Sequence, residues 1–226
     1  MNKKIDSKNV IKKYGESAGK IYDAFMIDYV NKISQESRDA YKTLFDYFSK
    51  IDGKILEAGI GSGRNIKKYH TNASLVGVDI TPEIIEKSKE RAKELGRKIK
   101  LYVEDITNLP FPDNYFDAIV STYTICVTEY PEKALKELIR VCKSGGLIGI
   151  YDCKRSDSNK NILNSQEIVA ETIKEYGLSF NGSPAVVYNI LSDLDKYIKN
   201  SVLKIINKKI IEHSTFESLG MYILQK

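Results

Sequence analysis

Ile55-Leu56-Glu57-Ala58-Gly59-Ile60-Gly61-Ser62-Gly63 decides how this chain is read. An apolar run closes on three alternating glycines, the form of a strand ending in a turn where side chains would block positive φ or keep the backbone from a close neighbour. Two later stretches, Val76-Gly77-Val78-Asp79 and Val103-Glu104-Asp105, also end an apolar run on a carboxylate. Glycine or acid at three successive strand ends is how a nucleoside is held at the carboxyl edge of a parallel sheet. Asp79 lies about twenty residues beyond Gly59, where a carboxylate can accept hydrogen bonds from ribose hydroxyls. A dinucleotide fingerprint, G-x-G-x-x-G, would need glycine where this chain has Arg64; its third glycine comes one residue early, at Gly63.

Outward from that stretch, short apolar runs alternate with amphipathic segments, the pattern of βαβ units. Strands are expected near 54–59, 74–79, 99–103, 116–121 and 146–151, with helices near 63–70, 82–95 and 131–142. Thr81-Pro82-Glu83 supplies an N-cap, a first-position proline and an acid in the first turn, and Gly96 ends that helix. Ser34 to Lys50 places Ala40, Leu44, Phe45, Tyr47 and Phe48 mostly on one helical stripe. Two apolar-rich strands near 203–211 and 219–225 flank Glu212-His213-Ser214-Thr215. Residues 156–188 read as an insertion, with glycines, a proline and aromatics in a loop of the length lids use.

At 226 residues the chain is one domain's worth of sequence, spanning 1–226, with a hydrophobic fraction of 42% and a charged fraction of 29%. The net charge of +5 is first a matter of solubility, and the lysines between Lys196 and Lys209 read as a solvated helix face and strand edge rather than a nucleic-acid surface. Cys126, Cys142 and Cys153 are irregularly spaced, which suggests neither a disulfide framework nor a zinc motif and fits a cytoplasmic protein. Met1 to Lys13 lacks a signal-peptide core, and no run approaches a membrane span.

After Asp105 the sequence continues Ile106-Thr107-Asn108-Leu109-Pro110-Phe111-Pro112-Asp113-Asn114-Tyr115-Phe116-Asp117-Ala118-Ile119-Val120. Together with the glycine loop, Asp79 and the later run Pro131 to Gly146, it resembles the class I S-adenosylmethionine-dependent methyltransferases. The similar branch contains the small-molecule enzymes, among them the ubiquinone/menaquinone methylases and bacterial phospholipid N-methyltransferases. The resemblance covers residues 10 to 155 well and the remainder loosely. It implies a Rossmann-like α/β fold with a mostly parallel seven-stranded sheet, an antiparallel C-terminal hairpin, an N-terminal helical cover over 1–50 and an insertion after strand five. Tyr14 to Asp23 resembles the family segment that folds over the cofactor.

The resemblance also implies roles. Gly59, Ile60, Gly61 and Gly63 face the amino-acid end of S-adenosylmethionine, and Glu57 supports their loop. Asp79 binds the ribose diol, Ile80 packs on adenine, and Asp105 with the Ile106 amide reads the adenine edge. Tyr14 and Ser121 complete the cofactor set. Tyr22, Tyr123, Cys126, Asp152 and Tyr188 are substrate-pocket candidates. The structural alternatives are a tight helix-start turn for the glycines, an N-cap for Asp79, a turn carboxylate for Asp105 and packing for the tyrosines.

Methyl transfer from a sulfonium needs alignment and a dry pocket more than a protein nucleophile. Histidine is the side chain best suited to deprotonating an acceptor near neutral pH, and the chain has only His70 and His213, both expected away from the donor methyl. The acceptor is then already reactive, as an amine, thiolate or activated carbon, or a tyrosine or Asp152 assists. After the fourth strand comes Ser121-Thr122-Tyr123-Thr124-Ile125-Cys126, without the [D/N/S]-P-P-[Y/F] motif of enzymes acting on adenine or glutamine amino groups. Cys126 and Cys153 near the carboxyl edge invite a soft-metalloid reading, but small buried side chains explain them more simply, and no metal is expected. A small-molecule methyl acceptor is the expected partner. The alternatives are a tRNA or rRNA methyltransferase, favoured by the lysines, and a sensor that binds the cofactor or its demethylated product without turnover.

Overall fold

The computed structural model describes residues 33–128, 130–153, 160, 197–213 and 217–226. Tyr14 and Tyr22 of the expected cover, and Tyr188 with all of the 156–188 insertion but Lys160, lie outside the described residues.

Helix α1 (Gln35–Phe48) precedes β1 (Lys54–Ala58) and β2 (Ser74–Asp79); then come α2 (Pro82–Glu94), β3 (Ile99–Val103), β4 (Phe116–Thr122), α3 (Pro131–Val141), β5 (Cys142–Cys153), β6 (Lys204–His213) and β7 (Glu217–Gln225). The strands form one sheet in the order β3-β2-β1-β4-β5-β7-β6. β1 to β5 pair in parallel, and β7 runs antiparallel between β5 and β6. Strand order reverses at β1, with β2 on one side and β4 on the other, the switch point where open α/β sheets bind ligands.

Apolar side chains on alternating faces of the strands build two cores. On one face Leu56, Val78, Ile119 and Ile148 meet Leu135 and Leu138 of α3. On the other, Ile55, Leu75 and Val120 meet Leu44 and Phe48 of α1 and Ile85 of α2. Ser34 caps α1 by accepting from the Ser37 amide at 3.1 Å, and the helix buries Ser37, Ala40, Leu44, Phe45 and Phe48; Tyr47 is half-buried beside that stripe. The helix lies close enough to β5 that a methyl group on Gly149 would run into the Phe48 ring.

Two expectations are corrected. The helix expected over 63–70 is only a 3-10 turn, Ile66–Lys68. Asn65 is drawn into hydrogen bonds with β1 and β4, and Tyr69 behind the turn is extended and buried, which interrupts the helical path. At α2 the Thr81 side chain makes no capping bond; the Asp79 carboxylate takes the Thr81 amide instead. Gly96 does end that helix, at φ 61°. The hairpin strands and β5 run longer than the apolar runs that marked them.

The segment after β3 is pinned from α3. Arg140 donates to the Leu109 and Phe111 carbonyls at 2.9 and 2.7 Å and pairs with Asp113, and Glu137 accepts from the Leu109 amide at 2.8 Å. On β6, an edge strand, Lys204 and Lys208 are exposed and Lys209 pairs with Glu36, so these lysines lie on the solvated edge expected of them. No helix among the described residues is long and apolar enough to cross a membrane.

Replacing Gly149 by alanine should force the Phe48 ring and α1 away from the sheet and cost about 1–3 kcal/mol, the usual penalty of overpacking. Urea unfolding of the full chain measures it; an unchanged midpoint would mean that α1 does not pack as closely as described.

Candidate functional site

β1, β2 and β4 end side by side, Ala58 being paired with Val78 on one flank and Ser121 on the other. Just past them Gly59, Gly61 and Gly63 have φ of 77°, 56° and 77°, a left-handed turn that only glycine adopts cheaply. Four of the loop's amides donate inside the protein. Gly59 and Ile60 donate to the Val78 carbonyl, Gly61 to Asp79 Oδ2 at 3.0 Å, and Gly63 to the Ile60 carbonyl. Side chains also press on it: a methyl on Gly59 would collide with Thr124, and one on Gly63 would lie 2.7 Å from Ile66 and 3.2 Å from Ser88 Oγ. Ser88 itself donates to the Gly61 carbonyl. Gly63 therefore does the close helix packing that a dinucleotide fold assigns one residue later.

Asp79 binds both sides of the cleft. Its Oδ2 holds Gly61 and its Oδ1 accepts from the Thr81 amide at 3.0 Å, joining the loop to the start of α2. Burial raises its pKa, and the amide donors oppose that rise. The capping role thus falls on the same carboxylate that was expected to bind the ribose. Further along the same edge Asp105 is exposed and turns back to accept from the Thr107 amide at 2.8 Å, with Ile80 half-buried and Ile106 buried nearby in sequence. Ser121 is buried at the end of β4, and its hydroxyl has no hydrogen-bond partner among the described residues.

Beneath the loop Glu57 is fully buried. Asn65 Nδ2 donates to its Oε1 at 2.8 Å, while Tyr41 donates to Asn65 Oδ1 at 2.6 Å. Burial pushes Glu57 up to about 8, so it is largely neutral at pH 7. Tyr41, Tyr151 and Tyr123 continue this layer edge to face, with ring centroids 5.0 and 5.3 Å apart. Tyr123 sits at φ 51°, an uncommon conformation for a bulky residue, and lines a cavity of about 710 Å³ with Tyr41, Thr122, Gly59, Gly61 and Arg64. Tyr41, Asn65 and Tyr151 were not singled out in the sequence, where they read as one tyrosine of fifteen, a residue of the helix expected over 63–70 and a strand residue.

Two substrate-pocket candidates lie elsewhere. Asp152 is fully buried and accepts from the amides of Thr124, Ile125 and Cys126 through Oδ2 and of Cys153 through Oδ1. It holds the turn after β4, and burial pushes it up to about 6. Cys126 is buried in that turn, and neither residue lines the cavity. The Cys126 and Cys153 sulfurs and an Asp152 oxygen lie within 4.8 Å of one another, and the neighbouring Cys153, burial and the Asp152 charge all raise the Cys126 pKa. His70 accepts from the Asn72 amide in the turn leading into β2, at the opposite end of that strand from Asp79. The side chain of His213 lies outside the described residues.

The raised pKa of Glu57 has a definite sign. Between the unfolded value near 4.5 and the folded value near 8, the native state holds a proton that the unfolded state has lost, so this group lowers stability as pH rises through that window. Glu57→Gln keeps the acceptor for Asn65 and removes the titration. Its stability relative to the parent should rise from pH 5 to pH 8, by on the order of a few kcal/mol, and then level off. Urea unfolding at several pH values checks this; a pH-independent difference would mean that Glu57 is not buried as described.

Comparison with known proteins agrees with this geometry. A methyltransferase domain family matches residues 56–150. A phosphatidylethanolamine N-methyltransferase of Cereibacter sphaeroides is 32% identical over 102 residues, covering 44% of this chain and 50% of that enzyme. The chain thus spans about half the length of that relative. An uncharacterized protein of Methanocaldococcus jannaschii is 28% identical over 204 residues, 83% of this chain and 90% of that one. In fold, a SAM dependent methyltransferase from Aquifex aeolicus is similar with a TM-score of 0.58 at 20% identity, covering 83% of this chain and 90% of that chain. Residues 56–150 of this chain thus match a methyltransferase domain family, on a sheet whose fold is shared with a solved SAM dependent methyltransferase.

Proposed function

We propose that this chain transfers a methyl group from S-adenosylmethionine to a small-molecule acceptor. The observation that carries the reading is the left-handed glycine loop clasped by Asp79 at the point where strand order reverses. The residues fit the cofactor. Asp79 has an acidic group for the ribose, Ile80 and Ile106 offer apolar surface for adenine beside Asp105, and the Ser121 hydroxyl, without a partner among the described residues, is a buried polar group suited to a ligand. S-adenosylmethionine, when bound, supplies a methyl group on a sulfonium. The protein's part is then to fix the acceptor in line and exclude water.

No histidine side chain is described at this edge, and Asp152 is fully engaged by four amides. That supports an acceptor atom that is nucleophilic without help, an amine, a thiolate or an activated carbon. The Cereibacter relative's name, with its N-methyl transfer, is consistent with an amine. The β6 lysines, which favoured RNA as a substrate, are also what a solvated strand edge presents, and Lys209 among them pairs with Glu36.

Titration calorimetry should find one S-adenosylmethionine per chain and no appreciable NAD binding; saturable NAD binding with no response to S-adenosylmethionine would overturn the assignment. Asp79→Ala should lose about 1.5–3 kcal/mol of cofactor affinity, roughly ten- to a hundredfold. The same variant should lose about 1 kcal/mol of stability, because the Gly61 and Thr81 amides lose their acceptor. Unchanged affinity in a variant that merely unfolds more easily would leave Asp79 as a cap alone.

A further inference from the structure

The cavity beside the glycine loop is lined by six cationic side chains, Arg38, Lys42, Arg64, Lys67, Lys68 and Arg91, against one carboxylate, Glu94. Arg64 follows the loop directly, and its Nη1 is buried without a hydrogen-bond acceptor among the described residues. A buried guanidinium nitrogen with no acceptor is costly unless a ligand supplies one. Its neighbours add positive charge. Lys68 lies over the Tyr41 and Phe45 rings, and burial together with the charges of Lys67 and Arg64 lowers its pKa. Glu57 cannot balance them, being largely neutral and hydrogen-bonded to Asn65. S-adenosylmethionine offers this wall a single carboxylate, its sulfonium and ammonium both being positive, which leaves most of the six cations without a counter-charge.

We propose that the cavity binds the phosphate of a phosphorylated acceptor, with Arg64 as the principal anion contact and Lys67 and Lys68 beside it. Guanidinium offers a fork of donors to phosphate oxygens, and ammonium groups add charge at short range. A volume of about 710 Å³ suits a small molecule or a single headgroup, and Gly59 and Gly61 in its wall place the bound group next to the cofactor loop. This deepens the methyltransferase reading and rests on it.

The test is calorimetric titration of the full chain with inorganic phosphate and with glycerol phosphate, each without and with saturating S-adenosylhomocysteine. Saturable binding of both anions is expected, weakened about tenfold or more in Arg64→Gln and partly restored in Arg64→Lys. S-adenosylhomocysteine affinity should stay within about threefold of the parent's in the same variants. Should Arg64→Gln fail to fold, Lys67→Gln, at an exposed position, must show a smaller loss of phosphate binding in the same direction. Sedimentation with phosphatidylglycerol vesicles separates the sources: binding lost in Arg64→Gln identifies a lipid headgroup, and glycerol phosphate binding without vesicle binding identifies a soluble ester. The proposal is overturned if neither anion binds saturably. It is also overturned if Arg64→Gln weakens S-adenosylhomocysteine as much as phosphate, which would assign Arg64 to the cofactor carboxylate, or if single-stranded RNA alone binds through Arg64. Phosphate binding that persists in a protein unable to bind S-adenosylhomocysteine would instead refute the methyltransferase reading and leave the anion site standing.

Discussion

Much of the site depends on two hydrogen bonds to the carboxylate of Asp79, from Gly61 on one oxygen and Thr81 on the other. Backbone at positive φ has no ladder to hold it, so a glycine loop keeps its shape only if its amides find acceptors. Asp79 stands on β2, a buried strand of the sheet, and transmits that rigidity to a loop with no regular structure and to the first turn of α2. Ser88 reinforces the join from α2 by donating to Gly61. The cleft walls are therefore fixed relative to one another before anything binds, which lowers the ordering cost of a ligand.

The second organising layer is the neutral, buried Glu57 with Asn65, Tyr41 and the aromatic rings behind them. A charged carboxylate here would sit in apolar surroundings with Asn65 as its neutral partner; a protonated one is compatible with burial and still accepts from the asparagine. Through Tyr41 this layer reaches α1, and through the Tyr151 hydroxyl, which donates to the Ser37 carbonyl, it reaches the first turn of the same helix. Helix α1 thus contributes to the cavity wall as well as to the core.

How far this could be read from the sequence differs by element. Strands β1 to β4 and helices α1, α2 and α3 followed from apolar periodicity and from Pro82 and Gly96, because buried strands and one-sided helices imprint their period directly. The 3-10 turn at 66–68 did not, because Tyr69 turns extended behind it and the Asn65 side chain is taken by partners on β1 and β4 that are distant in sequence. The acidic and glycine positions of the cleft were legible as residue types at strand ends. The burial of Asp152 under four amides was not, since an acid near a strand's carboxyl end looks the same whether it faces a ligand or caps a turn. The cationic cavity was likewise hidden, because Arg38, Lys68 and Arg91 come from three separate segments that only the fold brings together.

The placement of β7 has a consequence for biosynthesis. It is the latest strand of the sheet to be synthesised, yet it is interior, buried through Leu219, Met221, Tyr222, Ile223 and Leu224 and flanked by β5 and β6. β6 emerges from the ribosome first but has no other strand to pair with, so it must wait for its hairpin partner. Until then β5 presents an open apolar edge, while the glycine loop, Asp79 and both their strands have already been made. The nascent chain can shape its cofactor cleft before its sheet is closed, and its period of greatest exposure to aggregation lasts until the β6–β7 hairpin has been made.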